Sequence, residues 1–250
     1  MAKQKTEIIF GLHAVDSMLR SHPEQVLQLW VQAGRTDKRM QAILGIVAKQ
    51  GITVETVSRD FLQKKSADNK HQGVAALVRA GRTSQPGLKE ILARQKLLLL
   101  VLDGVQDPHN LGACLRSADA SGVDAVIVSK NRSPGLTPVV RNVASGAAET
   151  TPLIQVSNLA RALQQLSDQD VRIVGTAGEA RTSLYDSPPS DRLALVMGSE
   201  GKGMRRLTRE HCDELICIPM QGSVESLNVS VATGICLFEY RRKQAVNGAA

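Results

Sequence analysis

The chain has 250 residues, 42% hydrophobic and 22% charged, enough apolar surface for one large or two ordinary globular domains and too much for a disordered segment. Only 2% are aromatic, so the cores must be built from Val, Leu, Ile and Ala, and an RNA reader that stacks bases on aromatic platforms is disfavoured. The net charge of +7 suits a polyanionic partner, because each Lys or Arg that meets a phosphate releases a counterion; a solvated basic surface has the same composition.

From the N-terminus, Leu12, Val15 and Leu19 share one face of a helix from Gly11 to Arg20. Val26 to Val31 reads as a strand, and Thr36 is placed to cap a helix running through Lys49. Ile52 to Val57 and Val74 to Val78 read as further strands, completing a compact α/β domain over residues 1–80. Ala80 to Gly87 is aperiodic and rich in turn formers, so residues 81–95 read as a linker carrying a short helical pattern, Leu88 to Arg94.

The texture changes in the domain spanning 96–250. Leu97 to Leu102 is a continuous apolar run, the pattern of a strand covered on both faces, and Ala125 to Val128, Val171 to Val174, Leu193 to Met197 and Leu215 to Ile218 repeat it. Helical patterns lie between most of them: Leu111 to Ser121, Val139 to Ala148 and Leu159 to Leu166. Alternating strand and helix predicts an α/β fold with a parallel sheet flanked by helices, its ligands beyond the carboxyl ends of the strands.

The loops after those strands hold the unusual residues. After the first strand, Pro108 delays the helix and Asn110 is suited to cap it. Arg116 then lies over Gly112 and Ala113, either a fork for a phosphate or carboxylate or one half of an ion pair with Asp119. Asp107 reads as a turn former, and His109 alone carries little. Gly198, Gly201 and Gly203 surround Glu200, which lets the backbone turn sharply and approach a ligand. The stretch lacks the spacing of a P-loop, and no dinucleotide fingerprint opens the first strand–helix turn. Gly175 to Gly178 makes another close-approach loop. Ser226 is placed to cap a last helix, Val229 to Phe238, which is apolar almost all round and so predicted to lie inside the domain or against a second subunit. Asn228, at its start, needs a partner.

Cys114, Cys212, Cys217 and Cys236 form no C-x-x-C pair and have no histidine at ligand spacing, so no metal is expected. With no secretory signal they read as reduced thiols of a cytoplasmic protein. No apolar stretch is long enough for a membrane span. Spacing alone reaches a small-ligand pocket and stops.

Three stretches go further: NLGACLRSADASG (Asn110 to Gly122), LVMGSEGKGM (Leu195 to Met204) and IPMQGSVESLNVSVATGICLFE (Ile218 to Glu239) resemble, in order and spacing, the three signature motifs of SpoU (TrmH-like, SPOUT superfamily) RNA 2′-O-ribose methyltransferases. The likeness continues through FGLHAV (Phe10 to Val15) and HQG (His71 to Gly73), and is strongest to the branch that modifies a guanosine of the 23S rRNA peptidyl-transferase P-loop. The resemblance implies an N-terminal domain like ribosomal protein L30e that helps hold RNA, a catalytic domain ending in a trefoil knot, a homodimer, and S-adenosyl-L-methionine as methyl donor. It assigns Thr176, Gly198, Ile218, Met220 and Leu227 to cofactor binding and Asn110, Arg116, Glu200, Ser226 and Asn228 to substrate and catalysis. The family arginine is usually given the role of base or its helper. A guanidinium stays protonated, so gripping a phosphate and steadying an alkoxide suits Arg116 better. A tRNA methyltransferase of the same family and a non-catalytic RNA-binding assembly factor are the competing expectations.

Overall fold

A computed structural model of the chain describes residues 6–66, 71–79 and 86–247. These form two compact units, one of Met1–Gln85 with Thr137–Thr150, the other of Pro86–Leu136 with Thr151–Ala250.

The first unit contains β1 (Thr6–Phe10), α1 (Leu12–Ser21), β2 (Val26–Gln32), α2 (Lys38–Gln50), β3 (Thr53–Val57), α3 (Arg59–Ser66) and β4 (Val74–Arg79). Its sheet runs β1-β4-β2-β3, with β4 antiparallel to both neighbours and β3 parallel to β2. Successive strand residues point to opposite faces, and β2 uses both. Leu29 and Val31 join Val15, Met40 and Ile43 in one core. Trp30 joins Phe10, Leu62 and Ala75 in another. Asp37, rather than Thr36, caps α2: its Oδ1 accepts from the Arg39 and Met40 N–H groups at 3.2 and 3.3 Å. FGLHAV and HQG meet here, where Gln72 Oε1 accepts from the Leu12 N–H at 3.0 Å and so serves the orphan donors at the start of α1.

The second unit holds α4 (Leu88–Leu92), β5 (Leu97–Asp103), α5 (Pro108–Ala120) and β6 (Ala125–Ser129). The chain then contributes α6 (Pro138–Ala144) and α7 (Ala147–Thr150) to the first unit. It returns with β7 (Leu153–Val156), α8 (Leu159–Ser167), β8 (Arg172–Thr176), β9 (Thr182–Ser183), β10 (Arg192–Gly198), α9 (Arg206–Glu210), β11 (Glu214–Cys217) and α10 (Val229–Asn247). The single helix expected over Val139 to Ala148 is broken because Ser145 and Gly146 take φ of 53° and 98°. Gly146 is required there, since a Cβ would lie 2.8 Å from the Ser17 side chain. That excursion is tied down within its unit by Arg141, which pairs with Glu7 at 3.0 Å and with the buried Glu149.

The sheet of the second unit has seven strands in the order β7-β6-β5-β10-β8-β11-β9, every pairing parallel. Every residue of β5 is buried. Alternate β5 residues Leu97, Leu99 and Val101 pack with Ile127, Leu163 and Ile173, while α5 and α10 pack against each other. A Cβ on Gly234 of α10 would stand 3.6 Å from Ser117 Oγ of α5, so a small residue lets the two helices approach closely. Within one chain α10 is not covered all round: Val231 and Phe238, seven residues apart on one face, are 51% and 53% exposed.

Candidate active site

Parallel strands bring all their carboxyl ends to one edge, and three loops there meet through side chains. β5 ends in Asp103, which is 1% exposed and cannot stay in an apolar interior without partners. Arg205 supplies them from beyond the glycine-rich turn: its backbone N–H reaches Asp103 Oδ2 at 2.9 Å and its guanidinium reaches Oδ1 at 2.6–2.7 Å. This pair clamps the 198–204 turn over β5, and neither residue stands out in the sequence pattern.

The turn itself is held shut by Ser199 N–H donating to Gly203 O at 3.1 Å and Gly203 N–H donating to Ser199 O at 2.9 Å. Gly198 is indispensable to it, because a Cβ would come within 2.3 Å of the Gly203 carbonyl carbon and 2.4 Å of the Met204 nitrogen, both backbone atoms. Gly175 plays a different part from the one its loop suggests. A Cβ there would strike Cys212 and Met204 side-chain atoms at 2.7 Å, so it serves packing beneath the edge.

α5 begins differently from expectation. Asp107 is its N-cap, Oδ1 accepting from the His109 N–H at 3.0 Å, and Pro108 occupies the first helical position. Proline is preorganised for that position and has no N–H to leave orphaned, so the Asp–Pro pair starts the helix rather than delaying it. Asn110 is thereby released from capping. Its Nδ2 donates to Glu200 Oε1 at 3.1 Å.

Asn228 completes the cluster. Its Nδ2 donates to Glu200 Oε1 at 2.6 Å and to Asn110 Oδ1 at 2.9 Å. Its own Oδ1 accepts from the Ser230 N–H at 2.9 Å, so Asn228, not Ser226, caps α10. The Val229 N–H also points to Glu200 Oε1, at 3.4 Å. Ser226 is exposed and makes no side-chain hydrogen bond among the described residues. Asn110 in the first turn of α5, Glu200 in the glycine turn and Asn228 at the start of α10 thus orient one another, each amide having its oxygen and nitrogen ends assigned by the network.

Arg116 lies on α5 six residues beyond Asn110, about 9 Å along the axis at 1.5 Å per residue. It is exposed and makes no hydrogen bond or ion pair among the described residues. The alternative ion pair with Asp119 is not formed, and Asp119 Oδ1 instead accepts from the Thr151 hydroxyl at 3.2 Å. A charged fork without a partner among the described residues is available to an external oxyanion.

The remaining residues singled out from the motifs stand at the carboxyl ends of adjacent strands. Thr176 ends β8, Gly198 ends β10, and Ile218 follows β11. From Ile218 through Leu227, a stretch that includes Met220, no backbone N–H or C=O bonds to another backbone group among the described residues. Such a strip offers donors and acceptors to a ligand edge. Among the described residues no cluster of three or more His, Cys, Asp or Glu could hold a metal ion, and no helix is long and apolar enough to cross a membrane. Burial raises the Cys114 thiol to about 11 and the Cys212 and Cys236 thiols to about 12.

An open parallel sheet with a polar cluster at its carboxyl edge defines a broad class, and family comparison narrows it. Residues 97–238 match the SpoU rRNA Methylase family and residues 8–84 match the RNA 2′-O ribose methyltransferase substrate-binding family, so the chain belongs to the SpoU rRNA methylases. It is 54% identical over 242 residues to the 23S rRNA (guanosine-2′-O-)-methyltransferase RlmB of Escherichia coli K12, covering 96% of this chain and 100% of that one. Among solved structures, an RNA 2′-O ribose methyltransferase matches with a TM-score of 0.84 and 27% identity over 97% of this chain and 90% of that one. The SpoU methyltransferase AviRb from Streptomyces viridochromogenes, in complex with AdoMet, matches with a TM-score of 0.80 over 96% and 91% of the two chains; at 22% identity it speaks for the fold alone.

Proposed function

We propose that this chain is an S-adenosyl-L-methionine-dependent methyltransferase that modifies the ribose 2′-hydroxyl of a guanosine in 23S rRNA, in the peptidyl-transferase P-loop. The observation that carries the reading is the Asn110–Glu200–Asn228 cluster, which gathers one residue from each signature motif at the carboxyl edge of a parallel sheet. The full-length likeness to a 23S rRNA guanosine enzyme supports the substrate.

The unpaired backbone strip from Ile218 to Leu227, beside the ends of β8 and β10, suits the adenine edge and amino-acid end of the methyl donor. Thr176, Gly198, Ile218, Met220 and Leu227 would hold it. When bound, S-adenosyl-L-methionine supplies a sulfonium methyl already activated for transfer, so the protein's own work is positioning and charge control. Arg116 grips the phosphate next to the target and steadies the negative charge that develops on the 2′-oxygen, the proton leaving through a phosphate oxygen or water. Glu200 and the two asparagines hold the α5 start, the glycine turn and the α10 start in one register, and Ser226 lies in the strip leading into α10. No metal has a part in this scheme.

The reading extends to architecture. The first unit is an L30e-like RNA holder, the region from β8 to α10 carries a trefoil knot, and the enzyme works in the cytoplasm as a homodimer. The exposed Val231 and Phe238 of α10 support a second copy packing there.

Incubating the protein with tritiated S-adenosyl-L-methionine and unmodified 23S rRNA, then mapping the resistant ribose, tests the proposal. Label at one guanosine is expected. Transfer to tRNA alone, or to no RNA, would overturn it.

A further inference from the structure

The second unit contains a cavity of about 500 Å³ at the ends of β6 and β7, roofed by the starts of α8 and α9. That volume lies within the range of small-ligand sites, roughly 300–1,000 Å³. The cavity is separate from the Asn110–Glu200–Asn228 cluster, being one to two strands further along the same carboxyl edge, about 10 Å at the spacing of neighbouring strands.

Its lining is divided by chemistry. Ala160 and Leu207 present aliphatic surface, Leu207 being 53% exposed although apolar. Ser129 and Thr208 present hydroxyls from residues only 6% and 2% exposed. Neither hydroxyl has a hydrogen-bond partner among the described residues, and neither is among the unpartnered polar atoms sealed from solvent, so each keeps some contact with solvent. Two hydroxyls without a protein partner in one cavity bond water there, and a ligand's polar edge can take the place of that water. The rim is cationic. Arg206 is 81% exposed there, paired only with Glu210 on its own helix turn, and Lys130 and Arg132 follow Ser129 with no ion-pair partner among the described residues. The first N–H groups of the nine-residue α8 also face this end, with Asn158 Oδ1 serving only that of Arg161.

Resting on the functional reading above, we infer that this cavity takes a second nucleotide of the RNA substrate, flanking the target guanosine. The base enters between Ala160 and Leu207, its polar edge meets Ser129 and Thr208, and its phosphate meets Arg206 and the α8 start. A chain with so few aromatic residues needs such a device, because it has few ring faces on which to stack an extruded base. Arg205 links the two places through one residue, lining the cavity while binding Asp103 beneath the glycine turn.

The test uses the full chain and a 23S rRNA fragment that the unaltered protein methylates. Ala160→Phe fills the cavity and Arg206→Glu reverses its rim at an exposed position, so at least the latter folds. Each is expected to weaken fragment binding about ten-fold, within the effect of one held base, while the dissociation constant for S-adenosyl-L-methionine and the melting temperature stay unchanged. Arg206→Glu also flattens the dependence of log K on log salt concentration by about one phosphate contact. Fragments abasic at single flanking positions are expected to include one that binds the unaltered protein as weakly as Ala160→Phe binds the intact RNA, with no further loss when the two changes are combined. Fragment affinity within about two-fold of the unaltered protein for both variants, or additive loss at every abasic position, would overturn the cavity's role while methylation by the unaltered protein left the functional reading standing. No methylation by the unaltered protein would remove both.

Discussion

The Asn228 amide nitrogen lies 2.6 Å from Glu200 Oε1 and 2.9 Å from Asn110 Oδ1, so one side chain closes a bridge between residues 28 and 118 positions away in the chain. Its donor end faces the carboxylate and its acceptor end starts α10. Replacing that amide by a carboxylate keeps the shape and inverts the interaction.

Asn228→Asp therefore sets two carboxylates against each other. The folded state holds the pair's second proton more tightly than the unfolded chain does, a carboxyl group raised by its like-charged neighbour. Stability lost at neutral pH is expected to return as pH falls toward the carboxylate range, the reverse of an ordinary salt-bridged acid. Melting temperatures from pH 5 to 8 for this variant and the unaltered chain check the sign. A parallel pH dependence would show that the introduced carboxylate does not meet Glu200.

Arg116 has no partner among the described residues, so its replacement leaves the fold alone and reports on the reaction. With a guanidinium fork on a phosphate, Arg116→Lys loses most of its rate, by about 10²-fold or more, and a single retained charge does not rescue it. Partial activity would assign Arg116 the part of a simple counter-charge. Single-turnover methylation, with S-adenosyl-L-methionine binding measured separately, distinguishes these, and an unchanged rate would discard both.

Two glycines of one turn differ in why they are needed. Gly203 has φ of 63°, where an alanine is strained by about 1–2 kcal/mol but meets nothing within 4 Å. Gly198 has an unexceptional backbone, yet its Cβ would collide with main-chain atoms at 2.3 Å that no side-chain rearrangement can clear. Gly198→Ala is expected to abolish cofactor binding and to destabilise more than Gly203→Ala. Calorimetric titration and thermal melts of the two variants give the order.

The thiols are poor nucleophiles in the folded chain. With Cys114 near 11 and Cys212 and Cys236 near 12, chiefly through burial, almost no thiolate is present at pH 7, and the thiolate is the reactive form. Iodoacetamide at pH 7 is expected to label these three only after denaturant is added, as peptide mass mapping would show. Ready labelling of the native protein would contradict their burial.

Much of the second unit was legible in the sequence because buried parallel strands are written as unbroken apolar runs, and all five runs overlap strands that lie side by side, in the order β6-β5-β10-β8-β11. β7 and the two-residue β9 escaped: β7 is only partly buried along its length, and β9 is too short to show any period. β1 and α3 in the first unit were also missed, α3 because only Leu62 and Ser66 of its eight residues are buried. Helix starts were misread where two capping residues stood close together, Thr36 beside Asp37 and Asp107 ahead of Asn110. Which of them caps depends on backbone angles that composition does not report. The motif residues were legible as types, but the direct bonds of Glu200 to both Asn110 and Asn228 follow from strand order, which local patterns leave open. The excursion of residues 137–150 into the first unit had no signal at all, since its helices carry the same apolar spacing whichever partner they meet.

That excursion means the polypeptide passes between the two units three times, near residues 85, 136 and 150. The first unit is thus built from two stretches of the chain, and cannot be removed by a single cut. A chain beginning at Pro86 would still carry α6 and α7, with Val140, Ala144, Ala148 and Glu149 stripped of their cover. Removing the first unit from this chain would therefore require replacing this inner stretch as well as residues 1–85.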